Sequence, residues 1–200
     1  MSAGPVSDEA IEHAAAHIHD GGLVVYPTET VYGLGADATD PDAVERVFAA
    51  KGRDRDRPVS MAVPDLDAAA PYVRLTDRER AFVDAFLPGP VTLVVERTAR
   101  VPDVLVAGGD RVGLRIPDHD ISRRLAAAAE RPVTSTSANR SGEPSARTVA
   151  DLPADLRERA VVLDGGETPG GGSTVVDVIA GTIHRRGASA DAVEQWLAEH

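Results

Sequence analysis

Apolar and polar positions along this chain follow two rhythms, one of period near 3.6 and one strand-like, and glycine and proline mark most of the changes between them. Residues 8–19 carry apolar side chains at helical spacing behind Ser7, whose hydroxyl suits an N-cap. Gly21-Gly22 then leads into LVVYP at 23–27, an unbroken apolar run that predicts a buried strand. Asp40-Pro41-Asp42 joins a capping side chain, a first-turn proline and an acid at the positive end of the helix dipole, so a helix is predicted from there to about Ala50. Thr76-Asp77-Arg78-Glu79 reads as a capping box opening a helix to about Leu87. Further helices are predicted at 120–130 and 148–159, and a last one, capped by Ser189, carries Val193, Trp196 and Leu197. Strands are predicted at 59–63, 91–96, 111–116, 132–136, 160–164 and 174–179. Strands interleaved with amphipathic helices give the fold class α/β. Two segments, 27–39 and 137–147, fit neither rhythm; loops of that length within a compact domain are usually functional or disordered.

Composition narrows the function. The chain has 200 residues, 42% of them hydrophobic, enough for one sizeable core, and a single domain over 1–200 with no additional C-terminal domain is expected. No run of 18 apolar residues occurs, and the N-terminal segment is acidic with no basic or apolar signal region, so a soluble cytoplasmic protein without a membrane partner is expected. The absence of cysteine excludes disulfides, thiolate metal sites and a cysteine nucleophile. His13 and His17 are four apart on a predicted helix, but three alanines separate them and no third ligand is evident, so they read as a solvated face and no protein-held metal is predicted. The net charge of -11 fits a salt-rich cytoplasm or a GC-rich genome; the first, a halophilic origin, is preferred because screening relieves the self-repulsion of such a surface. At molar salt the Debye length falls to about 3 Å, so an anionic substrate would be recognised only at contact. An acidic total also argues against nucleic-acid binding through a broad basic face.

Three common nucleotide and hydrolase signatures do not fit. Gly33-Leu34-Gly35-Ala36-Asp37-Ala38 spells a dinucleotide fingerprint, but it lies between a strand ending near Pro27 and a helix starting near Pro41, not across a strand-to-helix turn. There is no Walker A loop and no G-x-S-x-G elbow. More informative is the run Lys51, Arg53, Arg55, Arg57, four cations in an acidic chain, which would share one face if the segment were extended. Lys51 is the only lysine beside 20 arginines, which marks it as a place where a compact, rotatable ammonium does what a planar fork cannot. After the PVT strand come Ser135-Thr136-Ser137-Ala138-Asn139, small hydroxyls and an amide suited to a polar ligand. A glycine-rich stretch, 165–173, precedes another strand and reads as a flexible loop able to close over a ligand.

Together these segments resemble the YrdC-like family of threonylcarbamoyl-AMP synthases. The resemblance rests on YPTETVYGLG (26–35), KGR with a following Arg-Pro (51–58), PGPVTLVV (88–95), RVGLRIPDH (111–119), STSANRSGEPS (135–145), GGSTVVDV (171–178) and IHRRGA (183–188), all in order. It implies a twisted open mixed sheet with helices around a large, positively lined cavity. It also implies a nucleotidyltransferase reaction: L-threonine, bicarbonate or CO2, and ATP give L-threonylcarbamoyl-AMP and pyrophosphate, the first step of N6-threonylcarbamoyladenosine formation in tRNA. Mg2+ is expected with ATP, and a downstream threonylcarbamoyl transferase as partner, without strong direct tRNA binding. By residue, the resemblance implies that Lys51 and Arg53 are catalytic and face the phosphates. Thr30, Arg115, Ser135 and Ser173 would bind threonine, with Arg115 gripping its carboxylate. Arg53, Arg57, Arg111, Ser137, Asn139, Ser145 and Arg185 would surround ATP. Arg111 departs from the smaller hydroxyl residue frequent at that position, and Ala62 stands where some relatives have a histidine. The alternative from another class is a non-catalytic YrdC-like paralogue that binds RNA or a nucleotide.

Overall fold

All four side chains of strand β1 (Leu23–Tyr26) are buried, in keeping with the unbroken LVVY run, because both of its faces are covered. In this computed structural model, which describes residues 6–200, Val24 and Tyr26 pack with Ile11, Ala14 and Ile18 of helix α1 (Asp8–His19) and with Leu125 of α5 (Asp120–Ala128). Leu23 and Val25 belong to a second cluster with Val47 of α2 (Pro41–Lys51) and Leu156 of α6 (Ala154–Arg159). The two-residue period of a strand thus divides one apolar run between two helical layers.

From β1 the sheet grows in both directions. Strand β8 (Ala160–Val162) pairs with it in parallel and β2 (Gly33–Gly35) antiparallel. Beyond β2 come β7 (Val133–Ser137), antiparallel, then β3 (Ser60–Ala62), antiparallel, and β6 (Arg111–Arg115), parallel to β3. Strand β5 (Val91–Arg97) follows antiparallel to β6, then β9 (Thr174–Asp177) parallel to β5, with β10 (Thr182–Arg185) antiparallel at the far edge. The order is β10-β9-β5-β6-β3-β7-β2-β1-β8, with β4 (Val73–Arg74) added to β5, so the sheet is open and mixed. The largest core lies beneath its β5–β6 half, where Leu93, Val95, Val112 and Leu114 join Phe82 of α4 (Asp77–Phe86) and Trp196 of α7 (Ala190–Glu199). A short helix, α3 (Leu66–Ala69), links β3 to β4.

Helix starts follow the local chemistry read from the sequence. Ser7 Oγ accepts from Ala10 N at 3.2 Å, Asp40 Oδ1 accepts from Asp42 N at 2.9 Å, and Thr76 and Glu79 complete a reciprocal capping box. Each such cap contributes about 1 kcal/mol. Elsewhere the structure departs from expectation. The helix expected over 148–159 is broken at Pro153 into a 3-10 turn, Val149–Asp151, and the short α6. Ser189 precedes α7, but its hydroxyl caps nothing; its own N–H donates to Thr174 Oγ1 at 3.2 Å. Strand β9 stops at Asp177, whose Oδ1 accepts from Ile179 N and Ala180 N at 3.0 and 2.9 Å and so turns the chain before 179. The loop expected over 27–39 contains β2, whose glycines lie under the ring of Tyr26. Among the described residues no helix is long and apolar enough to cross a membrane.

Candidate active site

The cavity floor is set by strand periodicity. On β6, Val112 and Leu114 enter the core while Arg111, Gly113 and Arg115 line a cavity of about 530 Å3 on the opposite face. Leu93 and Val95 of β5 do the same, leaving Thr92 and Val94 on the cavity side, and Ser60 of β3 and Ser135 of β7 stand directly paired there. Gly113 keeps this floor low: a Cβ would come within 2.3 Å of Ser60 Oγ and 2.9 Å of Thr92.

The basic run reaches the cavity by a route other than the extended one expected. Lys51 ends α2, Gly52 turns the chain in the left-handed region at φ 57°, and Arg57 N bonds back to Asp54 O at 3.2 Å. The four cations therefore do not share a face. Arg53 and Arg57 line the cavity, with Arg53 Nε and Nη2 donating to the carbonyls of Arg57 and Pro58 at 2.9 Å each. Arg55 turns outward and grips both carboxylate oxygens of Glu45 at 3.0 and 2.9 Å.

Lys51 is buried and is not among the residues lining the cavity. Its Nζ donates to the carbonyl oxygens of Ser137 and, at 2.7 Å, Asn139, and its own carbonyl accepts from Ser141 N at 2.9 Å. Two of the ammonium's three donors are thus committed to the backbone at the end of β7 and just beyond it. Burial, reinforced by the neighbouring Arg53 charge, pushes its pKa down to about 8. Asn139 is also withdrawn: its Nδ2 donates to the carbonyls of Arg140 and Glu143 at 2.8 and 2.7 Å, while its Oδ1 is buried without a partner. Lysine and asparagine together shape the 137–143 backbone.

The other residues singled out in the sequence converge on the cavity. Thr30, Ser135, Ser137, Ser145, Ser173 and Arg185 line it with Arg53, Arg57, Arg111 and Arg115. Ser135 and Ser137 belong to β7 itself, one residue further than the strand was expected to run, so they share a face. Thr28 orients Thr30: its Oγ1 accepts from the N–H groups of Thr30 and Val31 at 3.1 and 3.2 Å and lies 2.9 Å from Thr30 Oγ1. Ser173 is held by Thr92 Oγ1 at 2.8 Å and by Arg185, whose Nη2 donates to its Oγ at 2.7 Å and Nε to its carbonyl at 2.9 Å. Burial and the nearby charge of Arg115 lower the pKa of Arg185, as burial, Arg57 and Arg185 lower that of Arg53. Arg111 is pinned differently, with Nη2 donating to Val94 O at 2.7 Å and lying 3.2 Å from Asp177 and 3.5 Å from Glu79. Among the described residues, no carboxylate comes within ion-pair distance of Arg53, Arg57 or Arg185.

Sequence reasoning missed Ser60, Thr92, Asp56 and His184 as lining residues and Glu29, which pairs with Arg115. Thr92 had a signal, a lone polar side chain within an apolar strand. Among the described residues Asp56 is the one carboxylate in the lining, and no group of three or more His, Asp or Glu side chains stands together as a metal site.

Comparison with known proteins places this chain in a family. The threonylcarbamoyl-AMP synthase of Pyrococcus abyssi is 39% identical over 176 residues, 86% of this chain and 52% of that protein, so the chain spans about half the length of this relative. The threonylcarbamoyl-AMP synthase of Chromohalobacter salexigens is 36% identical over 89% of this chain and 97% of its own length. The crystal structure of P. abyssi Sua5 complexed with L-threonine superposes with a TM-score of 0.87 at 37% identity, covering 92% of this chain and 56% of that one. Residues 16–187 match the Sua5_yciO_yrdC family, described as telomere recombination, and the chain belongs to that family.

Proposed function

We propose that this protein makes L-threonylcarbamoyl-AMP from L-threonine, bicarbonate or CO2, and ATP, releasing pyrophosphate. The observation that carries the reading is the convergence of four guanidiniums, those of Arg53, Arg57, Arg115 and Arg185, with the hydroxyls of Ser135, Ser137 and Ser173 around one cavity. The relatives named for this activity, and the P. abyssi Sua5 structure with L-threonine bound, supply the substrate class.

In the proposed reaction the threonine amine, as the free base, attacks the carbon of CO2; the new N–C bond forms as one C=O bond opens to an oxyanion, and the amine loses its extra proton to solvent. That carbamate oxygen attacks the α-phosphorus of ATP, the bond from the α-phosphorus to the bridging oxygen breaks, and pyrophosphate leaves. Both steps need alignment and charge neutralisation more than a strong acid or base. Arg115 takes the threonine carboxylate in this scheme, beside Thr30, Ser135 and Ser173. Arg53, Arg57 and Arg185 meet the phosphates, with Ser137 and Ser145 beside the nucleotide. Arg111, shared between Asp177 and Glu79, contributes to the floor more than to phosphate binding. Lys51 and Asn139 act through the backbone that carries Ser137. Mg2+ enters with the nucleotide, since a lining of cations and hydroxyls with one carboxylate, Asp56, is no cage for a hard divalent ion. The product passes to a threonylcarbamoyl transferase acting on tRNA.

The test is to incubate the pure protein with threonine, bicarbonate and labelled ATP in KCl buffer. Pyrophosphate release should require both threonine and bicarbonate. Release independent of either would end the synthase reading, and no release would favour a nucleotide-binding, non-catalytic protein.

A further inference from the structure

Glu29 lies in the turn between Thr28 and Thr30, and its Oε1 accepts a hydrogen bond from Arg115 Nη2. The pair is nearly closed from solvent, with side chains 12% and 10% exposed. Arg115 lines the cavity whereas Glu29 does not, so the carboxylate stands behind the guanidinium. Among the described residues, Glu29 is the one hydrogen-bonding partner of that guanidinium.

The pairing is poorly explained by stability. Among the described residues Glu29 Oε2 is buried with no partner, and the ring Nδ1 of His119, whose pKa burial lowers against the opposing Glu29 charge, is buried unpaired as well. A buried ion pair is a weak stabiliser even when every lone pair is used, and a half-satisfied one is weaker. What the carboxylate does accomplish is local. It fixes one edge of a guanidinium that lines the same cavity as Arg185, whose pKa is lowered by burial and by the charge of Arg115.

We propose that Glu29 is the positioning residue for amino-acid recognition: it holds Arg115 by Nη2 behind the cavity wall, so that the rest of the fork is presented to the substrate carboxylate. This rests on the assignment of the threonine carboxylate to Arg115. Glu29 touches no substrate and acts only through Arg115.

Steady-state pyrophosphate release, with threonine and ATP varied in turn, tests it on wild type, Glu29→Gln, Glu29→Ala, Arg115→Ala and the double variant Glu29→Ala/Arg115→Ala. Glu29→Ala should raise the KM for threonine about tenfold and leave that for ATP within about twofold. Glu29→Gln, whose amide oxygen still accepts from Nη2, should lie between wild type and alanine. The double variant should be no worse than Arg115→Ala alone, because the effect runs through one side chain. An unchanged threonine KM in Glu29→Ala, an equal rise in both KM values, or multiplicative losses in the double variant would overturn the proposal. Should Glu29→Ala not fold, Glu29→Gln decides on the same split: a rise in the threonine KM alone supports the role, and no rise rejects it. Wild-type activity that ignores threonine overturns the carboxylate assignment and this role together, whereas a threonine-dependent wild type with an unaffected Glu29→Ala removes only the role of Glu29.

Discussion

Lys51→Met separates a buried clamp from a phosphate ligand. In an unfolded chain the lysine titrates near 10.4, and in the fold at about 8, so keeping its charged form inside costs about 3 kcal/mol. Two hydrogen bonds from a charged donor, to the carbonyls of Ser137 and Asn139, return about 1.5–3 kcal/mol each. Methionine removes both effects, so at pH 7 the variant should lose about 0–3 kcal/mol. The pH dependence is sharper. Between about pH 8 and 10.4 the folded protein has released the proton that the unfolded chain still binds, so wild-type stability gains about 1.4 kcal/mol per pH unit, a gain lost again as pH falls through 8. A neutral amine keeps two N–H donors, so both carbonyls remain satisfied across the window. Methionine has no such slope, and groups common to both proteins cancel. Urea denaturation of the two proteins at pH 7 and pH 10 should show the stability gap widening by about 3 kcal/mol. A gap that does not move with pH would mean that Nζ is solvated, as a phosphate ligand's would be, and would refute the clamp. In the same preparations pyrophosphate release should fall about 100-fold, since the backbone carrying Ser137 is no longer held; wild-type turnover would refute it equally.

Lys51→Arg keeps the charge, yet the larger planar fork overpacks a buried site; turnover should fall strongly while circular dichroism stays native, and a destabilisation of about 1–3 kcal/mol should appear in urea. Arg55→Ala removes an exposed pair with Glu45 and should leave both the urea midpoint and the KM for ATP unaltered. Thr76→Ala opens the capping box of α4, and thermal unfolding should report a loss of about 1 kcal/mol.

Much of the architecture was legible because its signals are local. Asp40-Pro41 and the Thr76–Glu79 box start helices where expected, and LVVY is buried on both faces. The elements that were missed depend on partners. GLG at 33–35 has neither β-branched residues nor alternation, and becomes a strand because β1 and β7 pair on either side of it. Strand β10 is largely exposed at the sheet edge and carries no apolar pattern. The site shows the same division. Arg53 and Arg55 are equivalent by charge and spacing, yet a left-handed residue at Gly52 and a turn over 54–57 send one to the cavity and the other to Glu45. Lys51 was conspicuous by composition, but only the tertiary structure shows that its ammonium meets backbone carbonyls.

Four of the five cavity arginines are held by protein acceptors, in two ways, and for Arg115 against Arg53 and Arg185 the difference matches the two kinds of anion proposed to bind. Arg111 and Arg115 are held by carboxylates, which fix the guanidinium and also cancel much of its charge. Arg53 and Arg185 are held by neutral acceptors, carbonyls and the Ser173 hydroxyl, which fix the guanidinium and leave its charge uncompensated. A triphosphate carries several charges and gains from donors that are oriented yet still fully cationic. An amino acid carries one carboxylate, and one arginine already half matched by Glu29 suits it. The acidic surface, at a net charge of -11, weakens this arrangement little, because salt screens charges beyond about 8 Å at physiological strength and about 3 Å at molar strength. Contact geometry therefore decides recognition. On the proposed assignments the selectivity of the site lies in the acceptors standing behind the guanidiniums, not in how many guanidiniums there are.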